Sequence, residues 1–511
     1  MTASDSATEG VTKELRGAAR GGAVTLAGST TSSVMGFVLV VVLARQLGAE
    51  GSGVVMQAVA SFMIGLSLAR LGMDTTAVWI IPRLRTEAPE EVRGACFGLL
   101  ASAAVAGAAG AAVWMVATLL IPDTKVAEAI TSIAWALPLG SVMLVALAAT
   151  RGLGGVLPFN LIGNIGVPTA RPLAVLVVTA LGGSVIAAAL AWAAPLVVGV
   201  LAALLVLSRQ VRRFERRELA HGRMLPTAAL QRRILGFALP RTLASALEQS
   251  IIWFDVVLVG IIAGPAAAGV YAAASRFVSA GVIVLTALRI VVAPRFSAAL
   301  AAGKHALVQE LYVVTAGWIL LFGAPIYVLL AVFSPTVLEL MGPDFDDGVL
   351  PMRVLCLGAV MLLAGGNIQS LLLMSGHSGW GAINKATVFT VNVVLNLVLV
   401  PPLGILGAAI SWAACMSLDT TLAMVQVFRF TGIRPAVGRI GAIVLAVVGC
   451  VGVPSVVVAW LWGNHLGALL VAAALSGVCL LLYCRWDAER LRISELRALL
   501  PGGRSRVTRS G

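Results

Sequence analysis

The chain has 511 residues, 59% of them hydrophobic and only 12% charged, with a formal net charge of +13. A mean hydropathy of +0.99 excludes an ordinary soluble globular protein, whose surface needs far more polar residues. The positive charge does not imply a nucleic-acid partner either: the arginines gather in connections between apolar runs, as in the cytoplasmic loops of membrane proteins.

The apolar runs are each about 20 residues long, enough to cross a bilayer core as a helix. In chain order they predict fourteen spans, near 22–44, 52–72, 94–121, 128–150, 157–181, 184–208, 235–262, 268–292, 307–333, 350–375, 379–401, 404–428, 439–462 and 465–485. The expected fold class is therefore all-α and polytopic. The first 20 residues are polar, and the run after them is too long for a signal-peptide core, so it reads as a retained span.

The connections alternate in charge. One side carries Lys13, Arg16 and Arg20, then Arg83, Arg85 and Arg93, the 209–233 loop with eight arginines, Arg295 and Lys304, Arg429, Arg434 and Arg439, and the C-terminal tail. The other side has short neutral turns and the loop SPTVLELMGPDFDDG, which has four acids and no base. Positive charge marks the cytoplasm, so both termini are expected there, in a cell membrane. The even span count agrees.

Internal repetition organises the chain. LGAEGSGVVMQAVAS (47–61) resembles IAGPAAAGVYAAASR (262–276) at an offset of 216, which places Gly48 over Gly264 and Gly53 over Gly269. AAALAWAA (187–194) resembles GAAISWAA (407–414) at an offset of 220, and Asn160 matches Asn384 at 224. These offsets predict two parallel six-helix lobes related by an axis along the membrane normal, the plan of many transporters. The expected divisions are a tail (1–21), an N-lobe (22–208), a basic linker (209–234), a C-lobe (235–428), two additional spans (439–485) and a tail (486–511).

Catalytic and metal chemistry find little footing. The six cysteines form no CxxC pair, the four histidines have no ligand spacing, and there is no GxxxxGK[ST] loop. No cofactor is expected. Without long polar loops holding paired carboxylates, neither is an enzyme.

The turn RQLGAEGSGVVMQAVAS is similar to the LGxxxyG turn that opens the second span of polysaccharide flippases, and WFDVVLVGIIAGPAAAGVYAAASRF resembles their corresponding second-half segment. With fourteen spans and a six-plus-six repeat, the chain resembles the Wzx-type flippases of the multidrug/oligosaccharidyl-lipid/polysaccharide (MOP) exporter superfamily. Lipid II flippases normally begin span 1 with RxxGxxRD. Here the region reads GSTTSSVMGFVLVVVLARQLG, which favours the polysaccharide branch. The resemblance implies transport of a polyprenyl-diphosphate-linked glycan to the outer leaflet by alternating access through a cationic cavity. Protons or Na+ are the candidate coupling ions, and glycan-assembly proteins the candidate protein partners, alongside membrane lipids.

Charges inside spans are costly, so they mark a pathway or a buried pair. Arg241, Glu248 and Asp255 recur every seven residues along span 7 and share one stripe, which should face an aqueous path or buried partners. At the offset of 216 they lie over Thr25, Ser32 and Leu39, so the halves are chemically unequal. Two readings stand for Asp255: an ion pair with Arg276 of span 8, or a direct role in coupling or substrate contact. Glu248 is a candidate proton site. Arg241 and Arg171 are the better diphosphate contacts, because guanidinium matches phosphate geometry; snorkelling or local pairing is the other reading of Arg171. Lys385 and Arg151 sit near the cytoplasmic mouth, as diphosphate contacts or interface anchors. Arg70 and Asp74 read as a local pair. Asp419 reads as a helix contact or part of a cation site. The hydroxyls of span 1, Asn367 and Gln369 in span 10, and Asn384, Asn392 and Asn396 in span 11 read as sugar contacts or packing groups. The C-terminal DAERLRISELRALLP can form an amphipathic helix with Leu491, Leu496 and Leu499 inward. A cation-coupled multidrug antiporter is the competing function; it calls for a compact acidic site, whereas here Arg241 and Arg171 compete with the carboxylates.

Overall fold

In the computed structural model, residues 3–120, 124–218, 222–434 and 437–492 are described, and every regular element among them is helical. Apolar sequence in hydrocarbon leaves the backbone no partner but itself, and a helix satisfies each N–H and C=O locally. The chain forms two compact units, Met1–Ala272 and Ala273–Gly511. Among the described residues, eleven helices are long and apolar enough to cross a membrane, or twelve if one bent pair is a single span. The first of these, Val24–Glu87, merges two of the expected segments.

In the first unit, α1 (Ala3–Ala69) bends at Gly48, whose φ of 65° and ψ of −171° interrupt the helix. A left-handed turn at Leu71 and Gly72 leads to α2 (Met73–Glu87), followed by α3 (Val92–Ala117). Next come α4 (Thr124–Ile133) and α5 (Ala136–Gly152), bent by 44° at the break between them. A short α6 (Val156–Pro158) runs through a π-helical stretch, Phe159–Gly166, into α7 (Val167–Ala180). Pro168 lacks an N–H, which leaves the Asn164 carbonyl without its usual helical donor and loosens the ladder there. The unit continues with α8 (Val185–Ala193), α9 (Pro195–Glu218), α10 (Ala228–Ala263) and the first turns of α11 (Pro265–Ala301). Both α7 and α10 pack on α1.

One contact in this unit has local two-fold character. A Cβ at Gly53 would stand 1.7 Å from the Pro265 carbonyl oxygen, and one at Gly269 would stand 2.2 Å from the Ala49 carbonyl oxygen. Ala49 and Pro265, like Gly53 and Gly269, are separated by the repeat offset of 216. Each helix therefore presents to the other the surface it receives, as in an isologous interface. Gly48 and Gly264, also 216 apart, both break their helices, at φ 65°, ψ −171° and φ 91°, ψ 169°. Only glycine adopts this backbone readily.

The second unit holds the rest of α11, then α12 (His305–Val332), α13 (Ser334–Glu339), α14 (Val349–Ala364), α15 (Ile368–Met374), α16 (Ser378–Leu403) and α17 (Ile405–Thr431). After these come α18 (Val437–Val447), α19 (Val453–Trp462), α20 (Leu466–Trp486) and a single turn, α21 (Ala488–Leu491). The expected span 350–375 is interrupted between α14 and α15, where Gly366 has φ 55° and lies against Ala316. Around the break, Phe296, Tyr312, Ala316, Leu371, Leu372 and Ala423 form a buried core. The last two long helices join the unit through Phe333, Val458, Ala468 and Ala472. Leu491 is buried as the amphipathic reading of the tail requires, whereas Leu496 and Leu499 lie outside the described residues.

Candidate substrate and ion sites

The α10 stripe changes environment along its length. Arg241 and Glu248 are exposed, while Asp255 is 3% exposed and accepts a hydrogen bond from the Tyr271 hydroxyl at 3.1 Å. The three residues share a helix face but not a contact. Arg276 lies half-buried in the second unit.

Arg241 belongs instead to a cation–aromatic ladder between α2 and α10. Trp79 and Phe237 stack with centroids 4.1 Å apart and planes 2° from parallel. The guanidinium of Arg83 lies 4.6 Å from the Trp79 centroid, that of Arg233 5.5 Å from it, and that of Arg241 5.6 Å from the Phe237 centroid. The close approach of α10 depends on Gly72: a Cβ there would stand 2.6 Å from the Ala238 carbonyl oxygen. Arg233 also pairs with Glu87 at 3.6 Å, and Arg70 pairs with Asp74 at 2.9 Å, the local pair the sequence suggests. Among the described residues, Arg83 and Arg241 have no carboxylate partner. The ladder escaped the reading of single charges, although its signal is in the sequence. Trp79 and Arg83 are four residues apart, as are Arg233, Phe237 and Arg241, the spacing of neighbours on a helix face.

Arg171 lies deep in the first unit. Its guanidinium sits 4.0 Å from the Trp192 ring centroid, and Trp192 in turn meets Phe62 edge-on. Its Nε is buried with no hydrogen-bond partner among the described residues. Stacking on indole compensates part of the cost of a desolvated cation. Arg151 is exposed and lies 4.6 Å from the Phe159 centroid. No hydrogen bond or ion pair among the described residues joins any two of Arg151, Arg171 and Arg241.

In the second unit, Lys385 and Asp419 come together. The Lys385 ammonium lies 2.6 Å from Asp419 Oδ2, while Oδ1 is buried without a partner among the described residues. Asp419 is therefore not a lone acid, and Lys385 is committed to it rather than to a membrane interface. The pair sits in a polar layer. Asn384 and Gln426 exchange two hydrogen bonds of 2.7 Å, and the Gln369 amide donates to the Asp419 carbonyl. Asn367 is buried with both ends of its amide unmatched among the described residues. By contrast, Ser29, Thr30, Thr31 and Ser33 of span 1 donate to carbonyls of their own helix. Thr25 accepts a hydrogen bond from buried Asn160.

Solved structures share this multi-pass helical fold, which has arginines and buried carboxylates in its candidate spans and a reciprocal glycine contact. An inward-closed structure of the lipid II flippase MurJ matches with a TM-score of 0.73 at 11% identity, covering 91% of this chain and 99% of that one. An inward-facing multidrug resistance MATE family transporter of the MOP superfamily matches at 0.68 and 16% identity, covering 79% and 95%. A MOP superfamily transporter from Pyrococcus furiosus matches at 0.56 and 15%, covering 80% and 94%. No curated protein matches the sequence. The family model described as polysaccharide biosynthesis protein matches residues 18–300, more than half of the chain, and the chain belongs to that family. The MatE model matches residues 240–412.

Proposed function

We propose that this transporter moves a polyprenyl-diphosphate-linked oligosaccharide from the cytoplasmic to the outer leaflet of the cell membrane. Fourteen spans in two parallel lobes, 22–208 and 235–428, would alternate access to a cationic cavity, with both termini cytoplasmic. The observation that carries this reading is the pair of arginines inside candidate membrane spans, Arg171 and Arg241, that have no carboxylate partner among the described residues. A cation facing hydrocarbon costs about 2.5–3.5 kcal/mol on the insertion scale, so one kept without a counter-charge is best explained by an anion that visits it. A diphosphate supplies that anion, and guanidinium donors match its oxygens in pairs. Arg241 and Arg83 would meet it first, Arg171 deeper in, and Arg151 near the mouth. Asp255 and Glu248 would serve ion coupling, or Asp255 would brace Arg276.

The test is flipping of a fluorescent polyprenyl-diphosphate sugar in proteoliposomes. Arg241→Ala and Arg171→Ala should collapse transport while leaving the protein folded. Unchanged flipping in both variants would remove these residues from the pathway. A second reading, cation-coupled antiport of a small organic cation, draws on the MatE match over 240–412, which contains Asp255, Lys385 and the start of the polar layer. It predicts ethidium-type efflux that depends on Asp255 and not on Arg171.

A further inference from the structure

Two cavities, one in each unit, are built alike. The first, of about 280 Å³, has apolar walls that include Phe97, Leu207 and Met224, with Arg93, Arg212 and Glu215 as its charged groups. The second, of about 220 Å³, is walled by residues such as Leu307, Leu311 and Trp318, with Arg295, Arg492 and Glu310 as its charged groups. Each thus combines two arginines and one glutamate with an otherwise mostly apolar lining. The positions correspond as well. The first cavity lies at the opening turns of α3, the second at the opening turns of α12, and the repeat offset of 216 carries Arg93 to Gln309, beside Glu310.

In both, the acid leaves positive charge over. Arg93 lies 3.6 Å from Glu215 Oε1, an atom buried without a hydrogen bond among the described residues, and Arg492 pairs with Glu310. Arg212 and Arg295 are exposed and have no carboxylate partner among the described residues. Leu307 and Phe97 are also exposed, so each cavity opens beside apolar surface. Both sit at the end of the helices that carries the basic connections. A free inorganic anion would leave the apolar walls unused, and a zwitterionic headgroup brings its own cation.

We propose that each cavity binds the phosphate headgroup of an anionic phospholipid from the membrane leaflet at that end of the helices. The phosphate meets Arg212 in one cavity and Arg295 in the other, while glycerol and the first acyl carbons cover the apolar walls. In the second unit the bound lipid also supports the turn that follows α20. Trp318 Nε1 donates to the Leu491 carbonyl at 2.7 Å, and Arg492, in a left-handed conformation, reaches the cavity from there. The proposal is independent of what the transporter carries.

The test uses the full-length protein, delipidated in detergent and incubated with phosphatidylglycerol, phosphatidylcholine or inorganic pyrophosphate, with bound lipid counted by native mass spectrometry. One phosphatidylglycerol per cavity should be retained and phosphatidylcholine lost. Arg212→Ala should remove one bound lipid, Arg295→Ala the other, and the double variant both. Glu215→Gln and Glu310→Gln should instead raise retention, a gain that misfolding cannot mimic. Equal retention of the two lipids, or full retention by the double variant, would overturn the proposal. So would displacement by pyrophosphate at matched concentration, which would mark a plain anion site.

Discussion

Replacing Lys385 by methionine isolates the energetics of the buried pair. Asp419 is only 3% exposed, its Oδ2 depends on the Lys385 ammonium at 2.6 Å, and Oδ1 has no partner among the described residues to compensate. Methionine fills much the same volume but leaves a carboxylate uncompensated in the interior, and breaking a buried pair from one side costs about 3–5 kcal/mol. Lys385 is 31% exposed, which screens the pair and points to the lower end, about 3 kcal/mol. The opposite substitution should be milder. With Asp419→Asn the freed lysine can swing its head outward along its flexible stem, so the cost should be about 1 kcal/mol. Lys385→Met with Asp419→Leu removes both charges and should recover most of the loss. Equilibrium unfolding of the four proteins in mixed micelles compares these costs. Equal costs for the two single variants, or a double variant no better than Lys385→Met, would refute the reasoning, because both outcomes require that Asp419 is not held by Lys385.

Gly53→Ala should destabilise severely, by about 3 kcal/mol or more, because the new methyl meets a backbone carbonyl that cannot move aside. Gly260→Ala meets only the Gln57 side chain, so thermal unfolding should show a smaller loss than for Gly53→Ala. Arg171→Leu should keep or raise stability by about 1 kcal/mol, since it removes a desolvated cation at the cost of one indole stack, while abolishing glycan-lipid flipping. Trp79→Ala should loosen α2 from α10, read as faster hydrogen exchange in 73–87, and should weaken transport less than Arg241→Ala.

The helical fold and most of its helix boundaries were legible because membrane helices announce themselves by length and hydropathy. The breaks were harder. Nothing in the hydropathy of 350–375 marks the interruption at Gly366, because a glycine pair inside an apolar run also suits an unbroken helix packed closely on a neighbour. Single charges were easy to find and hard to assign. Lys385 looked like an interface anchor because its partner, Asp419, lies on another helix, at a distance in sequence that no local period reveals. The ladder of Trp79, Phe237 and three arginines is hidden for another reason: each helix carries its own spacing of four, but the stacking of α2 on α10 joins positions far apart in the chain.

The repeat-related glycines connect the sequence pattern to the chemistry. Gly53 and Gly269 meet as near-equivalents, so the scaffold around them is close to symmetric, and their backbone contact tolerates no side chain on either helix. The stripe on α10 has no such counterpart: Thr25, Ser32 and Leu39 stand where the second half has Arg241, Glu248 and Asp255. Around this locally symmetric contact the charge is asymmetric, so the two repeats do not present the same surface. If the charges served only folding, neutral residues at equivalent positions in the first half show that the frame does not need them. Under the proposed function the charges retained in one half act on what passes through, and Arg171, on the first half but off this stripe, gives that half a cation of its own. Transplanting the neutral residues tests this argument. Arg241→Thr with Glu248→Ser should leave unfolding within about 1 kcal/mol of the wild type, because both side chains are exposed, yet should abolish transport. A protein that no longer folds would mean that the stripe is structural after all.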